Sequence, residues 1–195
     1  MAISAEAVKE LRDRTGVSVM QCKKALEEGN GDVEKAIQVL SRKSADVARK
    51  KADRDLLAGA VASYVHNTGQ IGTLVLLSCE TDFVSKNEEF TKLAYDIAMH
   101  AAATRPQYVR REEMTEAELA SLREVFLPEV AGKPENLQEQ ILTGKIANRL
   151  KEIVLLDQPF IKDDSKTIAE LLTNASQKFG ERIEISKLSC FSVRG

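Results

Sequence analysis

The chain has 195 residues, with 28 lysines and arginines against 30 aspartates and glutamates. A net charge of −2 excludes a global basic field for non-specific nucleic-acid binding, and 43% apolar with 30% charged residues is the composition of a soluble globular protein. Cys22, Cys79 and Cys190 are odd in number, far apart and without a C-x-x-C pair, which excludes a disulfide framework or zinc site and suits a reducing compartment.

The N-terminus "MAISAEAVKELRDR" carries acidic residues and no apolar run, so no secretory or transit signal is expected. The first forty-odd residues read as three short helices. Ser4 caps the first, with Val8 and Leu11 on its inner face, and "TG" at 15–16 ends it. Ser18 opens the second with Gln21 at capping-box spacing, and Gly29 is placed just past its end. Its inner face reads as Val19, Cys22, Ala25 and Leu26, which leaves Met20 among Lys23, Lys24 and Glu27. Asp32 caps the third, where Val33, Ala36, Ile37 and Leu40 follow helical spacing. Such a bundle is small, so its core is marginal.

In "SRKSADVARKKADRDLLAG", Arg42, Lys43, Arg49, Lys50, Lys51 and Arg54 outnumber Asp46 and Asp53. With no aromatic interleaved, the stretch reads as a solvated helical linker sooner than as a nucleic-acid patch.

Next, "GAVASYVH" and "IGTLVLLSC" flank the turn "NTGQ" and predict a β-hairpin covered by helices on at least one side. The same charge-free stretch, Leu56 to Cys79, is interrupted by "HNTGQ" and is no membrane span. Asn87 caps a helix with Phe90, Leu93, Ala94, Ile97, Ala98 and Ala101 on one face, ended by "RP" at 105–106. Thr115 and Glu118 form a capping box before Leu119, Leu122, Val125 and Phe126. Pro134 starts a further helix that Gly144 would break, and "DQPFIKDDS" reads as a loop. Thr167 caps a helix with Ile168, Leu171, Leu172 and Ala175, ended by Gly180. "RIEISKLSCFSV" is a strand whose phase slips between Ile185 and Phe191, as at a bulge. The class is α+β, a three-helix N-terminal domain (1–54) followed by a core (55–195) of helices on a small, mainly antiparallel sheet.

Signals for chemistry are weak. There is no phosphate-binding glycine motif, and His66 and His100 are the only imidazoles. Cys79 ends an apolar strand and His100 sits beside Met99 and Ala101, so both read as structural. No catalytic residue, metal site or cofactor is expected, and the chain does not read as an enzyme. "CETDFVSKNEEF" at 79–90 raises a different question. By ordinary physics Asp82 caps a short turn and Phe83 folds back onto the apolar cluster; the other placement sends the ring toward solvent.

With these segments in hand, the sequence resembles the elongation factor Ts family. "KELRDRTGVSVMQCKKALEEGNGDVEKAIQVL" is similar to that family's small ubiquitin-associated-like helical domain. "ADR" at 52–54 resembles its linker, and "CETDFVSKNEEF" holds its "TDFV" motif. "IAMHAAATRPQYV", "GKPENLQEQILTGKI" and "LLDQPFIKDDSKTIAELL" resemble its core, so the likeness runs end to end. The resemblance implies a guanine nucleotide exchange factor for the translational GTPase elongation factor Tu. It implies that Thr81, Asp82, Phe83 and Val84 form the segment that displaces Mg²⁺ from the GTPase, with Phe83 as a wedge. It also implies that Arg12, Val19, Met20 and Lys23 touch the GTPase's nucleotide-binding domain. Many relatives have Met-Met-Asp where this chain has Val19, Met20 and Gln21. Long members carry a second core unit and a helical hairpin insertion, whereas this chain has room for one core unit. Short forms of this kind resemble homodimers in a two-plus-two complex, with the strand around Cys190 as the expected seam. The implied setting is cytoplasmic, with no direct nucleic acid and no membrane. Two other readings stand beside it: an adaptor whose helical module binds helices or nascent chains without exchange activity, and a nucleic-acid binder using Arg42 to Arg54.

Overall fold

The structure, a computed structural model, describes residues 3–51 and 53–194, apart from the side chains at positions 45, 47–50 and 135. Contacts group the chain into two units: Met1–Val61, Leu76–Leu93 and Glu170–Ser186 form the first, and Ala62–Val75, Ala94–Ala169 and Lys187–Gly195 the second. The residues 1–54 read as a helical domain are part of the first unit.

In that unit α1 (Ala5–Thr15), α2 (Val19–Glu28) and α3 (Val33–Lys50) form the expected bundle. Ser4 accepts from the Ala7 N–H at 3.1 Å, Ser18 from Gln21 at 3.4 Å, and the Asp32 carboxylate from Lys35 at 3.0 Å, so each start follows its cap. The capping box at Ser18 is only half made, because the Ser18 hydroxyl donates to the Gln21 side chain at 2.9 Å. Leu11, Val17, Cys22, Ala25, Leu26, Ala36 and Leu40 are the buried core. Val19 is not among them. As the first residue of α2 it lies half exposed, so the inner face predicted for that helix begins at Cys22.

Gly29 also differs from expectation. Its φ is −83°, and the left-handed residues are Asn30 (φ 55°) and Gly31 (φ 84°). Gly29 serves instead for close approach, since a Cβ there would stand 3.0 Å from the Ala36 nitrogen and the Asp32 oxygen.

The basic stretch is helical, as predicted, only as far as Lys50, where α3 ends, and it is only partly solvated. Ser44 is buried and hydrogen-bonds the Gln177 side chain, and Lys51, also buried, donates to the Gly180 carbonyl. Lys43 pairs with Glu28 at 2.5 Å, while Arg49 and Lys50, counted in the predicted patch, have side chains outside the described residues. Lys43 and Lys51, two of the six cations of the stretch, are thus paired within the chain.

Strands β1 (Ala58–Val65), β2 (Ile71–Cys79) and β5 (Glu184–Ser192) form one sheet in the order β1-β2-β5. β1 and β2 are the predicted hairpin; Gly69 turns it at φ 67°, and the His66 N–H donates to the Ile71 carbonyl at 2.9 Å. Ser186 faces Ser78 (2.7 Å between hydroxyls), and the Val193 N–H meets the Gln70 carbonyl at 3.0 Å, so β5 runs antiparallel to β2. The helix side of β2 holds Thr73, whose hydroxyl donates to the Ala98 carbonyl at 2.6 Å. Ser186 is on the other side with Ser78, yet Cys190 lies 4.0 Å from the Ala101 carbonyl. Strict alternation would put Ser186 and Cys190 on one face; the strand slips between them, where the sequence loses phase.

Within the second unit, Ala94, Ile97, Ala98 and Ala101 of α5 (Glu88–Thr104) are fully buried. α5 ends at Arg105, whose φ is 49°. α6 (Glu116–Val130) opens on the predicted capping box with both its bonds made, and continues past Pro128. α7 (Glu135–Ile153) is unbroken at Gly144, where an added Cβ would meet nothing; an isolated helical glycine costs about 1 kcal/mol, too little to split nineteen residues. The predicted loop at 157–165 is instead a small hairpin, β3 (Pro159–Phe160) with β4 (Asp163–Thr167), its register shifted between Pro159 and Phe160. A two-residue strand is too short to show periodicity. In the first unit, α8 (Ile168–Phe179) ends at Gly180, φ 73°.

His100 is fully buried in the second unit. Its Nδ1 accepts from the Ile161 N–H at 3.3 Å, so Nε2 carries the proton and donates to Gln158 Oε1 at 2.9 Å. Burial holds this imidazole below its ordinary 6.5, against the pull of Gln158. The unfolded chain therefore binds the extra proton first. Stability is full above about pH 6.5 and falls by up to about 1.4 kcal/mol per pH unit below it, until the depressed folded value is passed. Denaturant midpoints at about pH 7.5 and 5.5 check this, and His100→Gln should flatten the difference. An equal slope in that variant would contradict it.

Candidate functional site

β2 commits alternate side chains to the interior, and Thr73, Val75, Leu77 and Cys79 are all buried. Cys79 ends the strand with its thiol donating to the Thr81 carbonyl at 3.3 Å. Burial first, and then the neighbouring Glu181 carboxylate, push that thiol to a pKa of about 11, which removes it as a nucleophile.

Thr81 is extended (φ −128°, ψ 153°) and caps a single helical turn, α4 (Asp82–Ser85). Its Oγ1 accepts from the Val84 N–H at 3.5 Å, and its carbonyl accepts from the Ser85 N–H at 3.2 Å. One turn has room for little on its inner side, and Val84 and Ser85 take it. Asp82 and Phe83 are left outside. Phe83 is 85% exposed, whereas Phe90, seven residues on, is 0% exposed. The placement that ordinary physics favoured therefore fails on both counts: Thr81, not Asp82, is the cap, and the ring does not fold back. Leaving a phenylalanine in water forgoes about 1.5–3 kcal/mol. Asp82 pairs with Lys86 at 3.7 Å, both largely exposed, which adds little.

Chain from far away holds this turn. The N–H groups of Glu80 and Thr81 both donate to Glu181 Oε2 at 3.0 Å, and the Thr81 hydroxyl donates to Oε1 at 2.5 Å. In return, the Arg182 N–H donates to Glu80 Oε1 at 2.5 Å, and Arg54 reaches the Glu80 carboxylate at 2.9 and 3.2 Å. Burial alone would raise the Glu80 carboxyl, but the Arg182 amide and the Arg54 guanidinium outweigh it and hold it below the usual carboxylate value. Arg182 also donates to the Arg54 carbonyl at 2.6 Å. Arg54 reads from the sequence only as a linker cation, Glu181 and Arg182 carry no sequence signal at all, and nothing local points to contacts about a hundred residues apart.

Arg12, Val19, Met20 and Lys23 are all exposed, with Met20 at 72%. Val19, Met20 and Lys23 share consecutive turns of α2, while Arg12 stands in the last turn of α1. An exposed apolar pair beside a lysine is a surface that a partner can cover. Val84 differs from the other sequence-predicted residues, because it is buried in its own fold. Among the described residues, no group of three or more His, Cys, Asp or Glu side chains is placed to hold a metal ion, and no helix is long and apolar enough to cross a membrane.

A family model described as elongation factor Ts matches residues 5–194. Among curated relatives, an elongation factor Ts of Desulforamulus reducens is 47% identical over 95% of this chain and 86% of its own length. The elongation factor Ts of Thermodesulfovibrio yellowstonii is 45% identical over 99% and 97%, and that of Thermotoga maritima 40% over 99% and 97%.

Proposed function

Because this chain belongs to the elongation factor Ts family, a family of translation elongation factors, we propose that it is a guanine nucleotide exchange factor for the GTPase elongation factor Tu. The observation that supports this most is Phe83, held out at the tip of a one-turn helix with its ring in solvent. A strand end that turns a large aromatic outward has a use if the pocket for that ring belongs to another protein.

Nucleotide in such a GTPase is held by phosphate-cradling amides and by Mg²⁺, which needs near-octahedral ligation. Thr81, Asp82 and Phe83 approach that site, Val84 anchors them, and the inserted ring shifts groups around the metal until it leaves. A ten-thousandfold gain in release needs about 5.4 kcal/mol off the barrier. One buried phenylalanine supplies at most about 3 kcal/mol, so contacts from Arg12, Val19, Met20 and Lys23 of the helical domain must add binding energy. Coupling is reciprocal: the factor weakens nucleotide binding, and incoming nucleotide expels the factor. This exchange works in the cytoplasm and makes or breaks no covalent bond in the factor.

Release of labelled GDP from purified elongation factor Tu tests the reading. Strong acceleration is expected. Under the rival adaptor reading, which also draws on exposed Val19 and Met20, release would be unchanged.

The same proposal makes the chain a homodimer. In the second unit Val65, Leu74, Phe191 and Val193 are exposed, at 46–77%, on strands or just past one, and a second copy would remove them from water. Light scattering should give a dimer mass, and Phe191→Asp should weaken dimerisation by about tenfold or more through a buried charge. A wild-type monomer at tens of micromolar would refute it.

A further inference from the structure

The exposed wedge is one half of a device; the other half is what keeps it from wandering. Building on the exchange reading above, we infer that Glu181 is a positioning residue, which holds the end of β2 so that Phe83 is presented in one orientation.

β2 stops at Cys79, and the next two residues bring backbone N–H groups that the strand ladder no longer engages. One carboxylate takes both of them, at 3.0 Å each, together with the Thr81 hydroxyl at 2.5 Å. Three donors on one carboxylate, two of them from rigid backbone, define a direction as well as a distance. The Thr81 carbonyl and Oγ1 then start α4, so the orientation of Thr81 sets that of the turn carrying Phe83.

Glu181 is itself fixed from three sides. Gly180, at φ 73°, turns the chain out of α8 and brings residues 181 and 182 to the strand end. Arg182 locks the arrangement in reverse, its N–H on Glu80 and its guanidinium on the Arg54 carbonyl and on Glu184 at 2.8 Å. Phe179, one residue before Gly180, stacks edge-on against Phe90 with ring centroids 6.1 Å apart. The clamp is thus seated on the core while its working face stays half exposed. It adds local order at the surface.

The chemistry predicts a specific kinetic signature. A loosened turn presents the ring correctly for a smaller fraction of time, and apparent affinity falls by that fraction. Once the ring is seated, the complex is the same, so the release rate at saturation is kept. Glu181→Ala is therefore expected to raise the half-saturating concentration of factor about tenfold while changing the saturated rate by less than about twofold. Glu181→Gln keeps one acceptor oxygen and should fall between, at about threefold. In both variants hydrogen exchange at the Glu80 and Thr81 amides should quicken. A wild-type half-saturation in Glu181→Ala overturns the inference, as does a lost plateau with unchanged half-saturation. If Glu181→Ala does not fold, Glu181→Gln decides by the same two quantities. If the wild-type chain itself leaves GDP release unchanged, the exchange reading falls separately, and unaltered exchange at Glu80 and Thr81 in the variants overturns the clamp.

Discussion

Phe83→Ala should cut the acceleration of GDP release from elongation factor Tu by about tenfold or more and leave the fold intact. The ring is 85% exposed, so its removal takes almost nothing from the interior and creates no cavity. Thr81 still caps the turn through its own side chain and carbonyl, and Val84 still anchors it, so α4 should persist. What disappears is apolar area that only a partner can bury, up to about 3 kcal/mol in the complex. The loss should appear in both the half-saturating concentration and the rate at saturating factor, because the ring binds as it is inserted and no other group replaces it as the wedge. Unfolding midpoints should match the wild type. A variant with full exchange activity would remove the wedge; a variant that unfolds would show that the ring packs on its own chain.

Phe90→Ala should give the opposite pattern, a loss of about 3–5 kcal/mol in folding stability. This ring is fully buried at the start of α5 and meets Phe179 edge-on, with 79° between the planes. Removing it leaves a void beside Phe179 that cannot close without moving backbone. Against a total of about 5–15 kcal/mol, such a loss is large, and Tm should drop by roughly 6–20 °C. Exchange activity should survive at temperatures where the variant is folded, with some loss of apparent affinity through Phe179 and the Glu181 clamp behind it. A stability change under about 1 kcal/mol would mean that the site repacks. Two phenylalanines seven residues apart thus separate function from fold: one can be deleted from the structure and the other from the interface.

Spacing places one of these two rings and not the other. Phe90 lies on a helical stripe with Leu93, Ala94, Ile97, Ala98 and Ala101, and that periodicity already marked it as core. Phe83 lies in a stretch too short for any period, and its outward placement was expected only from the resemblance. The buried Val84 beside it shows that the motif is not uniformly a surface. Val19 illustrates the converse error: helical spacing put it inward, but a first helical residue has no preceding turn to pack against.

The sequence by itself determined what acts within about four residues: the caps at Ser4, Ser18, Asp32, Asn87 and Thr115, the left-handed stops at Gly16 and Gly180, the hairpin turn at Gly69, and the stripes that make the helices amphipathic. These signals are legible because donor, acceptor and φ preference belong to neighbouring residues. Tertiary structure alone decided that α3 is pinned through Ser44 and through Lys51 just past its end, and that one turn has inner room only for Val84 and Ser85. It also decided that Glu181, a hundred residues downstream, grips the backbone at Glu80 and Thr81. A carboxylate with three donors is a matter of where two distant segments meet in space, and chain order carries no record of that meeting until the core brings them together.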